Sequence, residues 1–277
     1  MYFEPGQFPD ELPIGKTGWV NKLGFDTPPG GKIGSPNHVL NDHTYCCQLS
    51  PAVCAATGEP DPKYIPDCKA WHEKRIGGRT DDAKRLGVPL IMSEFGACMD
   101  SDACVTEINQ VADVSDEHLA SWAYWEFKTY EDLTTSAGTH SEGFYNFDGT
   151  LQQVKVKALS RTYVKAAQGT IQTMKFTPTD ADISTPMGHF TADIKIDLSI
   201  DAPSVIHAAQ VLNPKQAASI WYEHGFDYTF EAVDTDIKPE VQVNTVGNEF
   251  QFKVANSEFN DKVLRVTITP KSSAEII

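Results

Sequence analysis

The spacing of the apolar residues changes near residue 170 and divides the sequence into two parts. Before this point, short apolar runs such as residues 88–92 alternate with stretches whose apolar residues recur every three or four positions, as in strands that alternate with helices. After it, apolar and polar residues alternate one by one, for example in residues 194–200 and 264–268. This second pattern is typical of strands with one buried face. The sequence therefore predicts two domains of different architecture.

We expect an α/β domain over residues 1–169 and an all-β sandwich over residues 170–277. The first domain contains four strand-like runs, at residues 1–4, 39–40, 88–92 and 121–127. A closed (β/α)8 barrel needs eight parallel strands. We therefore expect the last four strands of such a barrel, a partial TIM barrel, followed by the sandwich. The chain would then be the C-terminal part of a longer protein.

The helices of the first domain are predicted from the 3.6-residue period of their apolar positions. They are expected at residues 62–76, 79–86, 102–112, 116–120 and 151–167. Ser115 is a candidate cap for the fourth helix, because a serine hydroxyl can accept a hydrogen bond from the first turn. Gly169 is expected to end the last helix, since glycine tolerates the left-handed conformation common there.

The charge of the chain excludes several classes of partner. Lys and Arg total 23 against 38 Asp and Glu, which gives a net charge of −15. This balance argues against nucleic acid or an anionic membrane as the main partner, because both require a positively charged face. No apolar run is long enough for a transmembrane segment, and no signal peptide is visible at the first residues.

The cysteines predict disulfides and an oxidising compartment. All six lie within the first 104 residues, at positions 46, 47, 54, 68, 98 and 104. Six cysteines allow fifteen full pairings, so the spacing alone does not fix the connectivity. We expect Cys98–Cys104 first, since it closes a short loop, and Cys54–Cys68 second. The other two cysteines are adjacent and would point to opposite faces of a strand, so they are not expected to pair with each other.

A zinc site is the alternative use of these cysteines. Cys68 and His72 have helical spacing, but two further clear ligands are lacking. We therefore expect paired or buried cysteines and no metal.

Polar and aromatic residues stand at the ends of the predicted strands, where catalytic groups of parallel barrels lie. His43 and Tyr45 are two residues apart, so on an extended segment they face the same side. Glu94 follows five largely apolar residues, where a carboxylate is costly unless it is paired or functional. Trp125 offers a flat face on which a sugar ring can stack. These four residues are the candidate site.

Each candidate also has a purely structural interpretation. Glu94 could be a buried salt-bridge partner, and His43 and Tyr45 could be ordinary hydrogen-bonding residues at strand ends. The tryptophan could belong to the core, because Trp122 and Tyr124 compete with it for the inward face.

Three motifs in this order resemble glycoside hydrolase family 5, and most of all its endoglycoceramidase branch. They are Asn41-Asp42-His43-Thr44-Tyr45, Ser93-Glu94-Phe95-Gly96 and Trp122-Ala123-Tyr124-Trp125-Glu126-Phe127-Lys128. The family has a His-x-Tyr pair on the sixth barrel strand, a nucleophilic glutamate on the seventh and a sugar-stacking tryptophan on the eighth. In this branch a β-sandwich follows the barrel, which agrees with the change of period. The resemblance covers nearly the whole chain.

The resemblance implies a retaining endo-glycosidase that hydrolyses the bond between glycan and ceramide in glycosphingolipids. Glu94 would be the nucleophile and Tyr45 its hydrogen-bond donor. His43 would contact the catalytic carboxylates or the sugar in the −1 subsite, and Trp125 would form the floor of that subsite. The resemblance implies no cofactor or metal, and it implies a secreted or lysosomal protein.

The chain departs from the family at the general acid/base, which lies in an Asn-Glu-Pro motif. This motif is absent, and the near match Glu4-Pro5 has Phe3 in place of the asparagine. We therefore expect the chain to lack the acid/base, with Glu4 as a doubtful candidate. Two other functions remain open: a β-glucanase of the same family, and a non-catalytic remnant that binds glycans or glycolipids.

Overall fold

The structure is a computed structural model that describes residues 1–5, 22–48, 53–54, 59–96, 98–128, 142–178, 187–208, 220–246 and 249–271. The chain forms two compact units, Met1–Leu159 and Ser160–Ile277. Within the described residues, no helix combines the length and the apolar character needed to cross a bilayer.

The first unit is built on a sheet of four parallel strands that are neighbours in chain order. They are β1 (Tyr2–Phe3), β2 (Val39–His43), β3 (Leu90–Glu94) and β4 (Ser121–Trp122). Parallel neighbours need long crossovers, which here contain helices. Helix α1 (Ile65–Leu86) links β2 to β3, and α2 (Asp102–His118) links β3 to β4. The predicted α/β class is confirmed for this part, and nothing in the sheet conflicts with four consecutive barrel strands.

Helix α1 is continuous where the sequence predicted two helices. A 3₁₀ turn at Pro62–Tyr64 precedes it, and it runs through the glycines at positions 77 and 78. Each glycine costs a helix about 1 kcal/mol relative to alanine. The buried face of α1 outweighs this cost, with Ile76 and Leu86 fully buried on either side of the glycines. The helix ends at Gly87, whose φ of 64° provides the left-handed cap.

Helix α2 is also continuous, so the predicted break before residue 116 is wrong. Ser101 caps the helix, because its side chain accepts a hydrogen bond from the N–H of Cys104 at 3.2 Å. Ser115, the cap expected from the sequence, lies buried within the helix. A serine caps a helix only where a helix begins. Here the buried face of α2 continues through Ser115, so no helix begins at this residue.

The second unit contains two four-stranded antiparallel sheets. The strands are β5 (Tyr163–Ala166), β6 (Gly169–Thr177), β7 (His189–Ile196), β8 (Ser204–His207), β9 (Phe226–Ala232), β10 (Val241–Val246), β11 (Glu249–Val254) and β12 (Val263–Pro270). The strand orders in the two sheets are β10–β11–β8–β5 and β6–β7–β12–β9. Buried residues of both sheets, such as Ile194, Phe252 and Leu264, form one hydrophobic core. Nothing here conflicts with the expected sandwich.

The predicted helix over residues 151–167 is wrong in its second half. Helix α3 covers only Gln153–Leu159, and the next residues form β5, which pairs with β8. The side chain of Val164 lies in the core of the second unit, so tertiary burial overrides the helical period of the sequence. Gly169 begins β6 instead of ending a helix. Its φ is 143°, and a Cβ atom at this position would lie 1.9 Å from the carbonyl oxygen of Lys195 on β7, so only glycine fits here.

A buried ionic cluster joins β2 to α1. The carboxylate of Asp42 is fully buried and accepts hydrogen bonds from Arg75 Nη2, at 2.7 Å, and from Arg79 Nε. The guanidinium of Arg79 also donates to Asp82, at 3.1 Å. Buried charges are tolerated only when they are paired and hydrogen-bonded. The cluster therefore favours one placement of the helix on the sheet.

The six cysteines form three disulfides: Cys46–Cys68, Cys47–Cys54 and Cys98–Cys104. The predicted Cys98–Cys104 bridge is confirmed. The expectation that the two adjacent cysteines do not pair with each other is also confirmed.

The predicted Cys54–Cys68 bridge is wrong. Cys68 lies on α1 and bonds Cys46, which follows β2, whereas Cys54 bonds Cys47. The Cα–Cα distances of these two bridges are 5.0 and 5.4 Å, within the ordinary range. The correct pairing depends on how α1 packs beside the end of β2, which sequence spacing does not reveal.

We predict that Asp42→Asn lowers the free energy of unfolding by about 3–5 kcal/mol, because it removes the buried negative charge to which both Arg75 and Arg79 donate. Urea denaturation followed by circular dichroism measures this change. Asp81→Asn is the matched control, since Asp81 is exposed on α1 and its substitution should change stability little. Similar stabilities of the two variants would contradict a structural role for the cluster.

We also predict that residues 160–277 fold on their own. The side chain of Trp221 donates to the carbonyl of Ser160, and Thr162 Oγ1 lies 2.7 Å from the Tyr222 hydroxyl, so the segment before β5 is bonded into this unit. The fragment should show a β-type circular dichroism spectrum and a cooperative melt. A matched fragment, residues 170–277, lacks β5 and should melt at a lower temperature. If the fragment of residues 160–277 shows no cooperative transition, the prediction is refuted.

Candidate active site

Strands β2 and β3 end side by side, and polar residues of both strands meet there. In the parallel register His43 pairs with Glu94, after an irregularity between Asp42 and His43. Just beyond the strand end, the N–H of Thr44 donates to the Glu94 carbonyl at 3.1 Å. Backbone hydrogen bonds thus hold the two strand ends together. The candidate residues of both strands therefore lie close to one another.

Tyr45 donates a hydrogen bond from its hydroxyl to Glu94 Oε1, at 2.8 Å. Burial and, after it, the charge of Glu94 raise the pKa of Tyr45 well above its usual value. The phenol therefore stays protonated and remains a donor. The side chain of Glu94 is 27% exposed. A carboxylate that a donor orients and that solvent still reaches can attack a bound electrophile.

His43 lies between two carboxylates. Its Nε2 is 3.5 Å from Glu4 Oε2, and its Nδ1 is 3.7 Å from Glu94 Oε2. The side-chain amide of Asn41 donates to the same Glu4 oxygen at 2.8 Å. Glu4, which the sequence offered only as a doubtful acid/base, is thus a neighbour of His43. Asn41 was missed, although its spacing of two residues from His43 places both on one face of β2.

The residues on either side of Tyr45 are fastened to the two long helices. Thr44 Oγ1 is hydrogen-bonded to His72 Nδ1 on α1, at 2.8 Å. The N–H of Cys46 donates to Glu107 Oε1 on α2, at 3.1 Å, and this oxygen lies 2.9 Å from His72 Nε2. These contacts are buried, so they fix the backbone that carries the tyrosine.

The cysteine beside this segment is not a free metal ligand. Among the described residues, Cys46, Cys68 and Glu107 have potential ligand atoms within 4.8 Å of one another. The sulfurs of Cys46 and Cys68 form a disulfide with each other, however, and only a thiolate can be a zinc ligand. The alternative of a zinc site at Cys68 and His72 therefore has no sulfur ligand to support it.

Trp125 follows β4 and lies beside the end of β3. Its backbone N–H donates to the Phe95 carbonyl at 2.9 Å, and Trp125 forms an isolated parallel β-bridge with Gly96. Trp122 and Tyr124 pack against the core, and each ring is in edge contact with Phe95 at 5.6 Å. Trp125 is half-buried and is not among the residues of that core. Of these three aromatic side chains, it is the one that does not pack against that core.

Glu142 is a residue of this site that sequence reasoning missed. Its side chain is 1% exposed, and Oε2 accepts a hydrogen bond from Trp125 Nε1 at 2.7 Å. Its charge also contributes to the raised pKa of Tyr45. Glu142 lies 17 residues beyond Trp125 and belongs to no helix or strand. Neither hydrophobic period nor motif spacing could have indicated it.

Comparison with known proteins gives a family match. The model of the family "Cellulase (glycosyl hydrolase family 5)" matches residues 13–131, which include all four candidate site residues. An endoglycoceramidase from Cyanea nozakii is 24% identical over 146 residues, which are 53% of this chain and 25% of that protein.

Solved structures share the fold. Endo-glycoceramidase II from Rhodococcus sp., as a lactosyl-enzyme intermediate, aligns with a TM-score of 0.57 and 19% identity over 98% of this chain and 49% of its own. The same enzyme in complex with ganglioside GM3 aligns equally well, at 18% identity. Sterylglucosidase 1 from Cryptococcus neoformans aligns with a TM-score of 0.55 and 10% identity over 75% of this chain and 32% of its own.

The chain spans about half the length of the solved endoglycoceramidases that it matches. At these identities the structural likeness shows the fold, and the family match comes from the sequence. Together they confirm the resemblance of this chain to glycoside hydrolase family 5 and, within it, to the endoglycoceramidases.

Proposed function

We propose that the intact protein is a retaining endo-glycosidase that hydrolyses the glycan–ceramide bond of glycosphingolipids, with Glu94 as its nucleophile. The observation that carries this proposal is the 2.8 Å hydrogen bond from Tyr45 to Glu94 at the ends of adjacent parallel strands. Catalytic groups of (β/α)8 enzymes occupy this end of the strands. The four strands β1 to β4 would be the last four of the barrel, and the second unit would be the sandwich that follows it.

The substrate class is supported by the relatives. The matched protein of Cyanea nozakii is named an endoglycoceramidase, and a structural neighbour holds ganglioside GM3. A glucan is the second candidate substrate, because the matching family model is named for cellulases. The three disulfides support a secretory compartment, where both kinds of extracellular substrate are met.

The site residues would divide the first chemical step between them. A carboxylate oxygen of Glu94 attacks the anomeric carbon, the bond to the leaving-group oxygen breaks, and a covalent glycosyl-enzyme forms. The lactosyl-enzyme intermediate of the Rhodococcus neighbour supports a step of this kind. Tyr45 holds the attacking carboxylate in place, and His43 lies between Glu94 and Glu4. Trp125 would lie under the sugar ring.

Protonation of the leaving group needs a second carboxyl about 5–5.5 Å from the nucleophile. The sequence contains no Asn-Glu-Pro motif. Glu4, the near match, is hydrogen-bonded to Asn41 and lies 3.5 Å from His43 Nε2, whereas Glu94 lies 3.7 Å from the other ring nitrogen. We propose that the acid/base is supplied by barrel strands that this sequence does not contain.

We predict that the 277-residue chain alone has no ordinary glycosidase activity, because its leaving groups would have to depart unprotonated. The assay uses a fluorogenic β-glycoside and a ganglioside as substrates. A turnover on the order of 1–1000 per second with either substrate would contradict the prediction.

We predict that Glu94→Gly abolishes turnover in a form of the protein that carries the complementary barrel strands, and that azide partly restores it. Azide fills the space of the missing carboxylate and attacks from the same side, so the glycosyl azide should have inverted configuration. The matched control is Tyr45→Phe, which removes the donor but keeps the carboxylate. It should lower the rate without any rescue by azide. Near-normal turnover of Glu94→Gly would show that Glu94 is not the nucleophile.

A further inference from the structure

Two of the three disulfides start from adjacent cysteines but differ in their exposure to solvent. Cys46 and Cys68 are each 1% exposed, so the bridge between them is buried. Cys47 and Cys54, which form the other bridge, are both half-buried. A thiol can reduce a disulfide only if its thiolate reaches one of the two sulfurs. Access therefore favours attack on the Cys47–Cys54 bridge over attack on its neighbour.

A buried carboxylate lies next to the bridge that solvent does not reach. An oxygen of Glu107 lies within 4.8 Å of the sulfurs of both Cys46 and Cys68. Glu107 is 5% exposed, and its Oε1 accepts a hydrogen bond from the N–H of Cys46 at 3.1 Å. The same oxygen lies 2.9 Å from His72 Nε2. These contacts hold the carboxylate in place beside the disulfide.

The charge of Glu107 opposes reduction of the neighbouring bridge. In thiol–disulfide exchange a thiolate attacks one sulfur, and the other sulfur leaves as a second thiolate. A nearby carboxylate repels the attacking anion and disfavours the anion that leaves, and a buried pair of charges is screened little by salt. Burial and charge thus act in the same direction, and both protect the Cys46–Cys68 bridge.

The two bridges also differ in what they hold together. Cys46–Cys68 has a sequence separation of 22 and ties the residues after β2 to α1, whereas the separation of Cys47 and Cys54 is only 7. A bridge that closes a longer loop restricts the unfolded chain more and so stabilises the fold more. Opening of the shorter loop should therefore leave the first unit folded.

We propose that the Cys47–Cys54 bridge is a reaction site for small thiols, whereas the Cys46–Cys68 bridge resists them because it is buried beside Glu107. A thiolate of the reagent attacks one sulfur of Cys47–Cys54, a mixed disulfide forms, and the other sulfur leaves as a thiolate that takes a proton from water. A second thiol then attacks the mixed disulfide and releases the reagent as its own disulfide. Two thiols thus supply the two electrons of the reduction.

Reduction of this bridge changes the chain beside the candidate site but leaves the site anchored. Tyr45, which donates to Glu94, is two residues from Cys47, and Cys46 lies between them. As long as Cys46 stays bonded to α1, the backbone that carries the tyrosine keeps its covalent tie. The difference in reactivity follows from burial and charge within the 277-residue chain, so it does not depend on the proposed function.

Differential alkylation of the oxidised chain under native conditions tests the proposal. Glutathione is the probe, released thiols are blocked with iodoacetamide, and the remaining disulfides are then reduced and blocked with an isotopically heavy form of the same reagent. Mass spectrometry gives a rate for each cysteine, and fragment ions distinguish Cys46 from Cys47. We expect Cys47 and Cys54 to react at least about tenfold faster than Cys46 and Cys68. Equal rates, the reverse order, or no reaction at Cys47–Cys54 would overturn the proposal.

Glu107→Gln separates the effect of charge from that of burial. The variant keeps an acceptor oxygen for the N–H of Cys46 but loses the charge, so reduction of Cys46–Cys68 should become about tenfold faster. The matched control is Glu117→Gln, which removes the same charge from an exposed position of α2. It should change this rate less than about twofold, because exposed charges are screened. An unchanged rate in Glu107→Gln would overturn the role of the carboxylate.

The third bridge, Cys98–Cys104, is the internal reference for a loosening of the whole first unit. Both of its cysteines are fully buried, and in the part of the chain that the structure describes no carboxylate lies within 4.8 Å of both sulfurs. In Glu107→Gln its rate should therefore stay the same while that of Cys46–Cys68 rises. Equal acceleration of the two buried bridges would show a general loss of structure and would contradict protection by the charge.

Discussion

The parallel pairing of β2 with β3 is the constraint on which the candidate site depends. It places His43 opposite Glu94 and brings Tyr45 within hydrogen-bonding distance of the same carboxylate. The alternation of side chains along β2 then separates two kinds of charge. Asp42 is buried with the arginines of α1, whereas its neighbour His43 contacts the carboxylates at the strand ends. One strand thus anchors a helix with one face and contributes to the site with the other.

The parts of the site that the sequence revealed are those encoded in short motifs at strand ends. Glu94 and Tyr45 could be predicted to meet because the carboxyl ends of parallel strands share one edge of the sheet. The supporting residues could not be found in this way. His72 and Glu107 reach the Tyr45 segment from two helices, and Glu142 accepts a hydrogen bond from Trp125, which lies 17 residues earlier in the chain. Such contacts depend on how distant segments pack, and a single sequence carries no direct signal of that packing.

The boundaries of several helices and strands were predicted wrongly for a related reason. The sequence predicted two helices in place of α1 and two in place of α2, yet both helices are continuous because their buried faces continue. Residues 163–166 have a helical period, but they pair with β8 and bury Val164 in the second core. In each case a preference worth about 1 kcal/mol yields to the burial of a large apolar side chain, which is worth more.

The adjacent cysteines at positions 46 and 47 make the maturation of this protein demanding. Each bonds a different partner, so during oxidation a thiolate at one position stands beside the disulfide of the other and can exchange with it. The correct outcome requires that α1 has already packed beside β2, because only then does Cys68 lie next to Cys46. Recombinant production should therefore depend on a host compartment with disulfide isomerase, and not merely on an oxidising one.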